Sequence, residues 1–355
     1  MPDWSKSMQQ SFEYYVVDPG TWKDDKKIDG VKSCSINWDS DTDTLGSATI
    51  DLVDTLGECY IRVYLITIQN GLRERHPLGT FMVQTPSSTF DGKVRTVSMD
   101  AYTPLIELKE KQPPFGYSLL KGENIMNTAY RLANENIRAP VIRANSTTDV
   151  LYNDFVSNID DTWITFLNDL IANAKYSFVL DEMGRVLFAP NQDTASLQPL
   201  ATFDDSNSSI LYPEITMDHD LYGLPNVVEV IYSNGAEHCH SRVVNDDKNS
   251  PISTVNRGRE IIYRDTSPAI ANVGELTQTQ LDEYAKRLLR ELSSIEYKIS
   301  YTHGYCGVRL RDCVRLNYKK AGISNVKAKI ISQSIKCEPG CPVVEKAVFT
   351  RKLWG

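Results

Sequence analysis

Tyr60-Ile61-Arg62-Val63-Tyr64-Leu65-Ile66-Thr67-Ile68 is the longest apolar-rich stretch of the 355-residue chain, and its reading decides the fold. It is strand-sized, and far short of the roughly 18 apolar residues that cross a bilayer. Successive strand residues point to opposite faces, and here both faces are apolar apart from Arg62. A strand of that kind is covered on both sides, so it is predicted to lie centrally in a sheet.

On its N-terminal side, Cys34, Ile36 and Trp38 alternate with Ser33, Ser35 and Asn37, and Ala48, Ile50 and Leu52 alternate with Thr49 and Asp51. That is the period of strands with one buried face. On its C-terminal side, Asn70-Gly71 and Asp91-Gly92 supply the positive-φ residues of tight hairpins. GTFMVQT (79–85) lies between them and KVRTVSMDAY (93–102) beyond. The result is a meander of about six strands, enough to close into a barrel or sandwich.

The pattern changes near Pro104. Pro113-Pro114 mark a loop, and Asn124 to Asn136 reads as a helix with Ile125, Ala129, Leu132 and Ala133 on one side. A second helix, capped by Asp160 or Asp161, carries Trp163, Phe166, Leu167, Leu170, Ile171 and Ala174 at helical spacing. It runs into YSFVLDEMGRVLFAP (176–190), a hairpin turning at Glu182-Met183-Gly184, and Ala201 to Ser209 reads as a linker. Sheet then returns in NVVEVIYS (226–233), REIIYRD (259–265) and the alternating Ile295, Tyr297, Ile299 and Tyr301. A helix from about Thr277 to Ser294 interrupts it. Val308, Leu310, Val314, Leu316 and Tyr318 share one parity opposite Arg309, Arg311, Arg315 and Asn317, and the chain closes through VKAKIISQSI (326–335), Pro339-Gly340 and VVEKAVFTRKLW (343–354). Both ends finish alike, with a strand bearing Gln and a small hydroxyl residue (Gln84-Thr85, Gln333-Ser334), a turn, and a long returning strand. The expected class is therefore α+β, mainly β: a β domain over 1–104, an α/β insert over 105–205, and a second β domain over 206–355.

Composition narrows the function. With 41% hydrophobic and 24% charged residues the chain is ordinary globular material. A net charge of −8 argues against general nucleic-acid binding, which needs clustered cations. The N-terminus has no apolar core of signal-peptide length, so folding in a cytoplasm is expected, and the sequons at Asn145 and Asn207 carry no meaning there. Seven cysteines without a CxxC pair fit free thiols in a reducing compartment.

The chain lacks a Walker-type phosphate loop, GxGxxG, GxSxG and HExxH. His238-Cys239-His240 is chemically tempting, yet only His238 and His240 share a strand face. Cys306, Cys313, Cys337 or Cys341 would have to complete a metal site, and finger-like spacing is missing. Asp39, Asp41 and Asp43 mimic the start of a calcium loop, but Thr44 and Ile50 stand where Gly and Glu belong, so a solvated turn is expected. The basic run Arg309, Arg311, Arg315, Lys319 and Lys320 reads as an exposed face rather than a phosphate track. No catalytic, cofactor-binding or metal-ligating residue is assigned, and no cofactor is expected.

Taken together, GSATIDLVD (46–54), YIRVYLI (60–66), PLGTFMVQTPSSTFDGKVRTVSMDAYTPLIEL (77–108), WITFLNDLIANAKYSFVLDEMGRVLFAP (163–190) and YCGVRLRDCVRLNY (305–318) give the chain a pattern that resembles the baseplate hub of contractile phage tails. Counterparts occur in Mu-like phages, PBSX-like prophages and phage-derived bacteriocins. The resemblance covers nearly the whole chain and rests on pattern, without a diagnostic short motif. It implies two tail-tube-like β-barrels per subunit separated by the insert, and a non-catalytic homotrimer whose six barrels adapt a sixfold tail tube to a threefold central spike. It implies as partners the spike, the tail tube or a tube-initiator ring, other baseplate proteins and the tape measure protein. It places the protein in a virion or tail-like particle assembled in a bacterial cytoplasm. A trimer would carry a formal charge near −24, three times −8, which would repel DNA from a channel wall rather than bind it. Arg351 to Gly355 is expected to end on a strand, leaving no room for a fused lysozyme or peptidase. The rival readings are a wall hydrolase with convergent acids in the insert, and a receptor- or carbohydrate-binding tail protein using Trp4, Trp22 or Trp354 as platforms.

Overall fold

The computed structural model describes residues 2–53, 56–93, 95–206, 209–233, 238–266, 268 and 277–354. Its first hundred residues form seven strands: β1 (Gln9–Asp18), β2 (Lys23–Ile28), β3 (Val31–Asp39), β4 (Gly46–Leu52), β5 (Tyr60–Gln69), β6 (Leu72–Phe90) and β7 (Arg95–Tyr102). They pair in the order β2-β1-β5-β6-β7-β4-β3. β5 is flanked by β1 and β6 and is buried from Tyr60 through Thr67, as a strand apolar on both faces must be. The β5–β6 turn has φ of 52° at Asn70 and 78° at Gly71, the two successive positive values of the expected tight hairpin. Inward residues of six strands, among them Tyr14, Ile36, Ile50, Val63, Phe81 and Met99, share one core, so this part of the sheet curls about its own interior.

The middle of the chain contains α1 (Ile106–Glu110), β8 (Ser118–Leu119), α2 (Ile125–Asn136), β9 (Phe155–Val156), α3 (Trp163–Ala172), β10 (Tyr176–Leu180) and β11 (Val186–Pro190). The predicted apolar stripes of α2 and α3 form its core with Phe178 and Phe188 from the hairpin. The cap of α3 differs from expectation. Thr162, not Asp160 or Asp161, occupies it, exchanging hydrogen bonds with Thr165 in a capping box, while Asp161 accepts from the Asn158 N–H.

The remaining elements are β12 (Ala201–Asp204), β13 (Leu211–His219), β14 (Val227–Ser233), β15 (His238–Val244), α4 (Thr254–Arg257), β16 (Ile262–Asp265), α5 (Gln278–Leu292), β17 (Ser294–Gly304), β18 (Cys313–Asn317), β19 (Val326–Lys336) and β20 (Pro342–Lys352). The expected linker is partly strand, because β12 pairs in parallel with β18; Asn207 and Ser208 of that segment lie outside the described residues. The single parity expected from Val308 to Tyr318 is also corrected. Only Cys313–Asn317 is strand, and Arg311 has φ of 72°, so residues 305–312 are loop. β17 alternates buried and exposed as predicted, and α5 starts on Thr277 with a second capping box, to Gln280.

The chain is α+β and mainly β, as the alternation indicates. Its strands do not close into separate barrels among the described residues. β3 spends its second edge on β19, with Ser332 opposite Asp39 and Lys336 opposite Ser35, so the N-terminal strands continue into C-terminal ones as an open path. Two compact units result. One comprises Met1–Ile215 with Ser300–Ala347; the other comprises Thr216–Ile299 with Val348–Gly355. In the second unit α5 packs Leu281, Ala285 and Leu289 on Val228 and Val230 of a β15-β14-β16 sheet.

Candidate functional site

Arg62, the one charge inside the apolar strand, is 1% exposed and fully engaged. Its Nε donates to Thr80 Oγ1 at 2.9 Å, Nη1 to Asp24 Oδ1 at 2.9 Å, and Nη2 to the Met183 carbonyl at 3.1 Å. The Trp22 indole Nε1 donates to the same carbonyl at 2.7 Å. Asp24 is completed by the Tyr64 hydroxyl and Arg75, both at 2.9 Å, and the Arg75 guanidinium lies 3.5 Å over the Tyr64 ring. A planar guanidinium with five donors suits a site where strand, edge hairpin and a turn carbonyl converge. Arg62 thus ties the turn of the β10–β11 hairpin to the first sheet. A second tie lies nearby. Glu107 of α1 accepts from the Tyr60 hydroxyl at 2.5 Å and from the Arg138 backbone N–H at 2.8 Å. Burial, and then the Glu107 carboxylate, push the Tyr60 hydroxyl above its ordinary range.

A third polar cluster sits within the C-terminal strands. Glu345 is wholly buried and accepts from the Tyr301 hydroxyl and from Gln333 Nε2, each at 2.5 Å. His303 Nε2 stands 3.1 Å from Glu345 Oε1, a close ion pair that lacks hydrogen-bond alignment, and its Nδ1 meets the Gly304 carbonyl at 2.6 Å. Burial alone opposes charge on this imidazole, but Cys306 and Glu345 outweigh it and raise His303 to about 10. Gln333 also donates to the Val308 carbonyl at 2.9 Å, linking the cluster to the 305–312 loop.

Beside this loop lies a cleft of about 230 Å³, lined by apolar side chains including Trp38, Leu78, Phe178, Leu187, Leu310 and Ile335. Its three carboxylates are all engaged. Asp181 binds Arg185 at 2.5 Å, Glu182 pairs with Arg309, and Asp312 accepts from the Arg309 backbone N–H at 2.8 Å. The cleft has the shape and chemistry to seat an apolar side chain.

The residues singled out in the sequence fall as follows. Asp39, Asp41 and Asp43 lie in the β3–β4 turn, where the Asp41 N–H donates to Asp39 Oδ1 at 2.9 Å and Asp43 pairs with Lys109 at 3.3 Å. His240 is exposed on β15, and the His238 side chain lies outside the described residues. Among the described residues no three His, Cys, Asp or Glu side chains converge as a metal ion requires. None of the seven cysteines is joined in a disulfide among the described residues. The basic run is dispersed: Arg309 pairs with Glu182, Arg315 sits in β18, and Lys319 and Lys320 lie in a 3-10 turn. Trp22 is core, and Trp4 is half-buried with its ring edge-on to Tyr305 at 5.2 Å, so neither is an open platform. No helix among the described residues is long and apolar enough to cross a membrane. The Arg62 and Glu345 clusters were missed in the sequence, although a lone Arg in an apolar strand and a Glu among alternating apolar residues were their visible signals.

No protein-family model matches the chain, and no curated protein matches its sequence. Solved structures do share its fold. The tail protein from Neisseria meningitidis MC58 is 13% identical with a TM-score of 0.61, over 96% of this chain and 97% of that one. The 43 kDa tail protein of prophage MuSo2 from Shewanella oneidensis is 10% identical with a TM-score of 0.62, over 96% of each chain. A chain of the Francisella PdpA–VgrG complex is 8% identical with a TM-score of 0.57, over 98% of this chain and 58% of that one. The fold is thus that of phage tail proteins, end to end.

Proposed function

We propose that the protein is the structural hub of a phage-type tail baseplate: a non-catalytic homotrimer that adapts a sixfold tail tube to a threefold spike. The observation that carries this reading is the end-to-end likeness of fold to two tail proteins, one of them from a prophage. The likeness to a chain of a PdpA–VgrG complex supports a position beside a spike. Within the proposal, residues 1–104 and 206–355 supply two tube-like sheet domains and residues 105–205 the insert between them. Three copies then offer six similar surfaces to the tube. The particle is a virion or tail-like body, and the remaining partners are a tube-initiator ring, other baseplate proteins and the tape measure protein. The cleft beside the 305–312 loop, whose carboxylates are already engaged, supports a structural rather than hydrolytic role.

Light scattering on the purified full chain, with negative-stain imaging, tests the reading. A mass three times the 40.1 kDa chain and ring-shaped particles are expected. A monomer at every concentration, or release of soluble fragments from peptidoglycan, would overturn it.

A further inference from the structure

Cys34 and Cys337 occupy the strand pair that joins the N-terminal part of the sheet to the C-terminal part. The β3–β19 register runs through Ile335 opposite Ile36 and Lys336 opposite Ser35, which makes Cys337 and Cys34 the next facing pair. Their backbones confirm it, because the Cys337 N–H donates to the Cys34 carbonyl at 2.9 Å. Facing residues of an antiparallel pair hold their Cα atoms roughly 4.5–5.5 Å apart, inside the roughly 4.4–6.8 Å that a disulfide spans. The two thiols and the Tyr14 hydroxyl are near enough to influence one another's protonation. Cys34 is buried in the first sheet's core, whereas Cys337 is half-buried and can be reached from outside.

We propose that Cys34 and Cys337 are a latent disulfide, thiols in a reducing cytoplasm and a covalent clamp across the β3–β19 joint once the protein meets an oxidant. With hydrogen peroxide the half-buried Cys337 sulfur takes one oxygen and becomes a sulfenic acid, and the first water leaves. The Cys34 sulfur then attacks Cys337, the S–O bond breaks, the S–S bond forms, and the Cys34 proton departs in the second water. With oxidised glutathione the same bond forms by two exchanges that release two reduced glutathiones. The thiol of Cys337 and burial push the Cys34 thiol well above its usual range, so clamping is slow and suits a lasting state rather than a rapid signal. The clamp would enclose most of the chain in one covalent loop, which restricts the unfolded ensemble.

The experiment uses the purified full chain, reduced, freed of reductant and incubated for hours with oxidised glutathione or dilute hydrogen peroxide. Remaining thiols are then alkylated and the digest mapped by mass spectrometry. A peptide pair joined through Cys34 and Cys337 is expected, with a melting temperature raised on the order of 5 °C and restored by dithiothreitol. Cys341→Ser should leave both readouts intact, and Cys337→Ser should abolish both. Linkage of Cys337 to Cys341 instead, accumulation of sulfinic acid at Cys337, or full alkylation of both cysteines after oxidation would overturn the proposal.

Discussion

Arg62 holds the β10–β11 turn to the first sheet through a single side chain. Its position could be read from the sequence as one charge in an apolar strand, but its partners Asp24, Thr80 and the Met183 carbonyl come from distant segments that no local pattern connects. Removing one partner of a buried ionic cluster leaves the others desolvated, so Arg62→Ala should cost roughly 3–5 kcal/mol in urea denaturation. His303 makes a different prediction, through pH. Its folded value of about 10 lies above the ordinary 6.5, so the charged form stabilises the fold. That contribution is complete below 6.5 and is lost as pH rises from there through 10. Tyr301 and Cys313 adjoin the cluster, and burial pushes both above their ordinary ranges, away from this window. Between pH 6.5 and 8.5 the melting temperature should therefore fall on account of His303. A His303→Phe/Glu345→Gln double variant, which removes both charges together, should show a flat profile over that window.

At the scale of elements, local chemistry was legible wherever it was self-contained. The turn at Asn70-Gly71, the stripes of α2, α3 and α5, and the alternation of β17 depend on neighbours in sequence, and all stand where the spacing placed them. The misreadings come from two sources. Residues 305–318 alternate like a strand, but the positive φ at Arg311 breaks the ladder, and parity carries no signal for that. Sequence alone points the α3 cap to acids one or two residues early, because Asp and Thr compete as caps and only geometry separates them. Thr162→Ala should cost about 1 kcal/mol, and Asp160→Ala markedly less, by the same denaturation measurement. Gly184 in the β10–β11 turn offers a sharper contrast. Its φ is 72°, and an added Cβ would stand 2.7 Å from Thr80 Cβ, whereas Gly71 has φ of 78° and open space. Gly71→Ala should cost about 1–2 kcal/mol of backbone strain alone. Gly184→Ala should cost more, since the turn must also back away from Thr80 and loosen its hold on Arg62.

For the whole molecule, the joint between β3 and β19 was the feature least visible in advance. Strand register between segments that far apart is set by packing, and the duplicated plan of the two ends suggested separate closed domains rather than one open path. Open sheets need protected edges, and β2, at one end of the path, carries Lys23, Asp24, Asp25, Lys26 and Lys27. Such charge discourages indiscriminate strand addition and leaves assembly to more specific surfaces. The β8–β9 ribbon is the candidate for one. Leu119 turns inward while Val156 on the opposite face is exposed, and Phe115, Leu120 and Tyr152 beside it are exposed as well. Exposed apolar side chains of this kind often mark contact surfaces, and the proposed trimer would be tested at this ribbon. Phe115→Ser/Tyr152→Ser should then leave the melting temperature of the dilute monomer nearly unchanged, because exposed positions contribute within about 0.5 kcal/mol. The same variant should lower the mass measured by light scattering below that of the parent at equal concentration. An unaltered mass would remove the ribbon from the subunit contact and direct attention to its use against another component of the particle.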